Sequence, residues 1–408
     1  MREIEGGVCA PRGFRAGGIW CGIKAGSRKR DLALIYADKP CAAAAMFTTN
    51  RVKAAPVLVT QEHLAGGVLR AVIANSGNAN ACTGEAGLAA ARRMAELVAG
   101  EFAIKAEEVA VASTGVIGAP LPIAAIESSV SSLADSLHPG AVGHEAALEA
   151  IMTTDTRKKA AALEIEVGGK ALRLGGMVKG SGMIHPNMAT MLCFITTDAA
   201  ISRELLDRAL RRAVGHSFNR VTVDGDTSTN DTVIVMANGE AGNAPIDTGG
   251  PDYVLFAEAL EALCVKLARA MARDGEGATR LVTVSLNGAA DEGAAELLAR
   301  TVAASSLVKA ACFGADANWG RVLCALGYAG VDFDPAAVDV RFASAAGEIL
   351  VCKAGASVPF SEEEAKRILS QEEIEIRIDL AGGGTGSAAV WGCDLSYDYV
   401  KINGDYRS

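Results

Sequence analysis

The stretch K-G-S-G-M-I-H-P-N-M-A-T-M, Lys179–Met191, runs directly into the apolar L-C-F-I that ends at Ile195. Gly180, Gly182 and Pro186 are chain breakers, and breakers ordinarily mark surface turns. Here they precede a threonine, Thr190, with small Ala189 before it and an apolar strand pattern after it. Two readings are open: Thr190 is a turn residue ahead of a core strand, or it carries the reactive hydroxyl of an enzyme. A threonine hydroxyl is a weak nucleophile without an adjacent base. Scission of the Ala189–Thr190 bond would free an α-amine, with an ordinary pKa of about 7.7–8.0, to act as that base. The chain could cut itself. The Thr190 hydroxyl would attack the Ala189 carbonyl, an ester would form, and water would complete the cleavage. The glycines and the proline can bend the backbone toward such an attack, and Ala189 leaves the carbonyl uncrowded.

A second segment has a similar look. S-T-G-V-I-G, Ser113–Gly118, follows a strand pattern and is rich in small polar groups. The Gly115 N–H and the Thr114 hydroxyl could together hold an oxyanion. A plain strand-to-helix turn is the other reading. Several signatures fail. D-G-D-T-S-T-N-D, Asp224–Asp231, opens like a calcium loop, but Val235 stands where a bidentate Glu is required and Thr229 where Gly is required. G-G-G-T-G at Gly382–Gly386 lacks the G-K-[ST] of a phosphate loop and reads as a turn. Ser181 in K-G-S-G lacks the first Gly of a nucleophile elbow. The five histidines, at 63, 138, 144, 185 and 216, are not spaced for metal.

The 408 residues carry a net charge of −9, which speaks against nucleic acid as a partner. R-K-R at Arg28–Arg30 reads as a solvated turn. No apolar run approaches ~18 residues, so no membrane span is expected. The N-terminus has no signal-type core, and a cytoplasmic protein is expected. Ten cysteines without any C-x-x-C predict reduced, mostly buried thiols. Strand patterns cover 32–36, 71–74, 109–112, 163–167, 191–196, 220–223, 232–236, 281–284, 338–342 and 374–378. Helical patterns cover 86–102, 203–214, 254–273, 293–308 and 361–369, the last with a capping box from Ser361 to Glu364. Strands and helices do not alternate one for one, so a layered α+β fold is favoured over a doubly wound sheet. A boundary is expected near Gly275–Thr279.

Together these segments resemble the glutamate N-acetyltransferase family of arginine biosynthesis, also called ornithine acetyltransferase. The motifs span nearly the whole chain: G-F-R-A-G-G at 13–18, F-T-T-N-R-V-K-A-A-P-V at 47–57, N-S-G-N-A-N-A-C-T-G at 75–84, S-T-G-V-I-G, I-M-T-T-D-T at 151–156, and the Lys179–Leu192 stretch. S-F-N-R-V-T-V-D-G-D-T-S-T-N-D at 217–231, G-E-G-A-T-R at 275–280, G-A-D-A-N-W-G-R at 314–321 and W-G-C-D-L-S-Y-D-Y-V-K-I-N at 391–403 follow. The resemblance implies a layered αββα sandwich of the self-processing aminopeptidase type, with a smaller C-terminal α+β domain from about 280 to 408. It implies a precursor cut at Ala189–Thr190 into residues 1–189 and 190–408, an α and a β chain that stay together, two of each. Thr190 becomes the nucleophile, and Thr114 and Gly115 the oxyanion hole. Thr154, Lys179, Thr190, Glu276, Asn403 and Ser408 become substrate contacts. The implied reaction moves an acetyl group from N-acetylornithine to glutamate without metal or cofactor, with acetyl-CoA as a further possible donor. A self-processing aminopeptidase or amidase of the same fold is the alternative. The chain departs from the family pattern at Arg157 and Lys158, on the rim of the expected pocket, and at Arg407.

Overall fold

The computed structural model describes residues 1–24, 26–185, 191–381 and 383–405. The strands in chain order are β1 (Arg2–Glu3), β2 (Phe14–Ile19), β3 (Leu32–Phe47), β4 (Val68–Asn78), β5 (Val109–Val116), β6 (Ala160–Val167), β7 (Lys170–Lys179), β8 (Leu192–Thr197), β9 (Val221–Thr222) and β10 (Thr232–Ala237). Then come β11 (Leu281–Ala289), β12 (Val338–Ser344), β13 (Gly347–Lys353), β14 (Ala356–Ser357), β15 (Glu373–Leu380) and β16 (Gly386–Cys393). The helices are α1 (Ala55–His63), α2 (Gly84–Phe102), α3 (Ile123–Glu127), α4 (Val130–Asp135), α5 (Gly140–Ile151), α6 (Arg203–Gly215), α7 (Pro251–Arg273), α8 (Glu292–Ala304), α9 (Ser306–Phe313), α10 (Trp319–Gly327), α11 (Glu362–Leu369) and α12 (Tyr397–Asp405).

The first sheet runs β1-β6-β7-β8-β10-β3-β4-β5, with β2 also on β3. Its pivot is the long β3. The first half of β3 pairs with β2 and β4, the register shifts between Tyr36 and Cys41, and the second half pairs with β10. One hydrogen-bonded sheet therefore supplies two layers, and the period-2 alternation of side chains sorts three cores around them. Cys193, Ile195, Val233 and Val235 face α6 and α7. Their neighbours Leu192, Phe194, Ile234 and Met236 face inward, against Ala33, Ile35, Val72, Ala74, Ala110 and Ala112. Leu32, Leu34, Ile73, Val109 and Val111 point the other way, onto α2 and α4. The order helix, strand, strand, helix is the αββα sandwich that the resemblance implied. Fully burying a side chain such as Phe194 contributes about 1.5–3 kcal/mol, so the central strands hold the layers together.

The second sheet runs β14-β13-β12-β15-β11-β16-β9. In β15 Ile374, Ile376, Ile378 and Leu380 are buried under a core that includes α8 and α11, whereas Glu373, Glu375, Arg377 and Asp379 are not. Its last strand, β9, precedes residue 280 in the chain.

Every strand and helix expected from periodicity is present, but the helix expected over 293–308 is broken at Ser305. That residue ends α8 and caps α9, its hydroxyl accepting from the Val308 N–H. The sequence patterns missed β13, β16 and the short β1 and β14, and also β2 and β7, which carry Gly17-Gly18 and Gly175-Gly176. These glycines permit close approach instead of breaking strands. A Cβ on Gly18 would sit 2.1 Å from the Ala146 carbonyl oxygen of α5, and one on Gly175 would sit 1.8 Å from the Gly7 carbonyl oxygen. Cys82 and Cys324 are exposed and Cys21 is half-buried, so the expectation of buried thiols holds for the other seven. Among the described residues no helix is long and apolar enough to cross a membrane.

Candidate active site

β7 ends at Lys179, and β8 begins opposite it at Leu192. Between them runs the stretch that the sequence singled out. Ala189 and Thr190 lie outside the described residues, as does Ser408. The described flanks are anchored. The Ile184 carbonyl accepts from Val223 N–H at 2.8 Å, and Met191 N–H donates to Asp231 Oδ1 at 3.0 Å. Asp231 is fully buried, and burial pushes its carboxyl well above the usual range.

The six described residues named from sequence converge on one cleft of ≈ 200 Å³: Thr114, Gly115, Thr154, Lys179, Glu276 and Asn403. Gly115 has φ +134°, and a Cβ there would lie 2.3 Å from the Gly77 carbonyl carbon. Both the conformation and the space demand glycine. The Thr114 hydroxyl accepts a hydrogen bond from Lys179 Nζ at 3.2 Å, which leaves its own O–H free to donate. Lys179 is buried. Burial lowers its amine from the ordinary value, with Asp155 the chief charge opposing that. A partly desolvated cation beside a hydroxyl and a glycine amide suits a developing oxyanion.

Glu276 lies between the end of α7 and β11. Its N–H donates to the Ser181 carbonyl at 2.8 Å, and its Oε2 accepts from Asn403 Nδ2 at 2.8 Å. A Cβ on Gly182 would lie 2.3 Å from that same Oε2, so this glycine makes room for the carboxylate. The Thr154 and Ser181 hydroxyls are 2.7 Å apart.

A buried ion triad binds these segments together. Lys159 Nζ lies 2.5 Å from Asp155 Oδ1 and 2.6 Å from Asp274 Oδ2, with all three side chains at most 2% exposed. Asp155 also accepts from the Thr153 and Gly180 N–H groups, and Asp274 from those of Thr156 and Arg157. One lysine thus ties the loop of Thr154, the end of Lys179's strand and the approach to Glu276. Burial disfavours the charged form of Asp155. Lys179 and Lys159 outweigh it and hold the carboxyl well below the usual carboxylate range.

Sequence reasoning missed several lining groups. Asn230 Nδ2 donates to the carbonyls of Ala79 at 2.6 Å and Ser113 at 2.8 Å, tying the segment before β10 to β5. Asp224 accepts from the Met183 and Ile184 N–H groups and from the Tyr399 hydroxyl. Both residues sit in the stretch weighed only as a calcium loop, and the motif match over 217–231 was the available signal.

A polar cleft with a glycine amide, a threonine hydroxyl and a buried ammonium at one end, in a layered αββα fold, defines an acyl-transfer class of enzyme. The chain belongs to the ArgJ family, whose profile matches residues 15–408. It is 53% identical to the arginine biosynthesis bifunctional protein ArgJ of Symbiobacterium thermophilum, with all of both chains covered. A crystal structure of the protein of the same description from Bacillus halodurans is 45% identical, with 52% of this chain and 98% of that chain covered and a TM-score of 0.50. The ornithine acetyltransferase of Mycobacterium tuberculosis, solved with ornithine, is 44% identical over 47% of this chain and 99% of that one, with a TM-score of 0.43.

Proposed function

We propose that this acetyltransferase of arginine biosynthesis moves the acetyl group of N-acetylornithine to glutamate through an acetyl ester on Thr190. The observation that carries the reading is the meeting, in one cleft, of Thr114, Gly115, Thr154 and Lys179 from before residue 190 with Glu276 and Asn403 from after it. Cleavage at Ala189–Thr190 frees the nucleophile's own base. The Thr190 oxygen attacks the acetyl carbonyl while the α-amine takes its proton. The oxyanion rests on the Gly115 N–H and the Thr114 O–H, whose oxygen is polarised by Lys179. The C–N bond breaks, the ammonium returns the proton to the departing amine, and ornithine leaves. The glutamate amine attacks the ester by the reverse path, and N-acetylglutamate departs. In this reading Glu276 pairs with a substrate ammonium and Lys179 with a carboxylate. The Bacillus halodurans chain, spanned almost whole yet covering only about half of this one, supports a chain that works in two pieces.

The test is denaturing electrophoresis combined with trapping of the intermediate. Active protein should run as two fragments, and brief exposure to N-acetylornithine should add an acetyl group to a peptide that begins at Thr190. Thr190→Ala should remain one band without transfer. Full activity from an uncut chain would refute the reading, and net release of acetate in place of transfer to glutamate would favour an amidase.

A further inference from the structure

One oxygen of Asp231 has no role in the steps above. The residue sits just ahead of β10 with its side chain fully buried, and its Oδ1 accepts the Met191 N–H at 3.0 Å. Its Oδ2 has no hydrogen-bond partner among the described residues. A buried carboxylate oxygen without a donor is destabilising, and native structures rarely leave one without a reason. Nearby groups do not supply it. The Thr48 and Ser228 hydroxyls stand close, but Thr48 donates to the Ser228 carbonyl at 2.6 Å. Lys179, from β7, is the charged group that acts on Asp231, and it is shared with Asp155, Lys159 and Glu276.

The backbone beside this carboxylate is fixed. The Met191 N–H is held by Oδ1, and the Met191 carbonyl accepts the Thr232 N–H at 3.0 Å. The next residue, Leu192, is paired with Lys179 on one side and Thr232 on the other, so Met191 cannot slide along β10. Covalent geometry keeps the nitrogen of the preceding residue, Thr190, within about 3.6 Å of the Met191 nitrogen, a distance that the two oxygens of one carboxylate can bridge. In an uncut chain that nitrogen is a neutral amide. After cleavage it is an amine, and it becomes a cation each time it takes the hydroxyl proton. A buried anion with an open oxygen suits the second form. The other flank of the cut is held from the same segment, where Asp224 accepts the Met183 and Ile184 N–H groups. The stretch that opened like a calcium loop thus begins and ends on carboxylates that take backbone N–H groups from either side of the cut.

We propose that Asp231 is the positioning residue of the nucleophile: Oδ1 fixes the chain just after the cut, and Oδ2 accepts from the α-amine that the cut releases, holding it beside the Thr190 hydroxyl. This rests on the self-cleaving acyl-transfer reading above. As the ester C–O bond forms, the hydroxyl proton passes to the amine, and the Asp231 carboxylate stabilises the ammonium so made. As the C–N bond of the donor breaks, the same proton passes to the leaving amine. Asp231 keeps no proton at any step.

Asp231→Asn keeps the shape and the acceptor for Met191 but replaces the anion by an amide. The Thr190 amine is titrated directly on cleaved protein by reductive methylation across a pH series, read by mass spectrometry of the peptide that begins at Thr190. In the variant its midpoint should fall by about one pH unit, and the acid limb of kcat/KM for N-acetylornithine should move down with it, while kcat falls about tenfold. Lost activity with the midpoint and the acid limb both unmoved would mark a structural effect and overturn the assignment. Where the variant stays uncut or fails to fold, the unaltered protein decides. Its Thr190 amine should titrate above the ordinary value of about 7.7–8.0 although the site is buried, and a midpoint at or below that value overturns the proposal. Failure of the Thr190 reading itself shows separately, as active unaltered protein that yields no peptide beginning at Thr190.

Discussion

Replacing Lys159 by methionine should expose how far the site depends on one buried charge. Methionine keeps most of the length and volume of the side chain but removes its charge. Lys159 Nζ now lies 2.5 Å and 2.6 Å from two carboxylates whose side chains are 0% and 2% exposed. Without it, Asp155 and Asp274 keep their N–H and hydroxyl donors but lose the cation between them. Removing one partner from a buried ion cluster costs about 3–5 kcal/mol. The pH dependence has a defined sign. Asp155 is held below its ordinary pKa, so its contribution is complete above about pH 4 and fades as acid protonates it. The gap between wild type and Lys159→Met should therefore be wide at pH 7 and shrink as the pH falls below about 4 toward about 2, where acid neutralises the charge that Asp155 presents to Lys159. Urea unfolding at the two pH values measures it. Substrate KM should rise as well, because Thr154, Lys179 and Glu276 hang on segments that the triad joins. A gap under about 1 kcal/mol at pH 7, or one of equal size at both pH values, would refute the reasoning.

Gly115→Ala should cut kcat by about a hundredfold or more, the usual effect of losing one oxyanion donor, since the new Cβ cannot fit 2.3 Å from the Gly77 carbonyl carbon without moving the strand. Steady-state kinetics on fully cleaved protein checks this, and a near-normal kcat would remove the residue from the oxyanion role. Glu276→Gln keeps the shape and an acceptor for Asn403 but loses the charge, so KM for N-acetylornithine should rise roughly tenfold, the effect of about 1.4 kcal/mol. Unchanged donor kinetics would strip Glu276 of its assignment to the substrate ammonium.

Much of the fold was legible before any coordinates. The near-continuous apolar runs in Leu192–Thr197 and Thr232–Ala237 announce strands buried on both faces, and the proposed oxyanion pair, Thr114 and Gly115, stood out in S-T-G-V-I-G as small groups at a strand's end. Such features are set by neighbours in the chain, through side-chain period and backbone freedom, and a linear pattern records them. Glycine misled where its reason was distant. Gly175 and Gly176 lie in a strand that periodicity did not pick out, and the Gly7 carbonyl and the Leu267 side chain pressing against them belong to other segments. Charge misled in the same way. Lys159 drew no notice, because the worth of a charge depends on what is buried beside it. Lys179 and Thr114 are 65 residues apart, and Asn403 and Glu276 are 127 apart. Only the packing of two layers folded over a single bent strand brings such groups within hydrogen-bond reach, and no local rule of sequence encodes that distance.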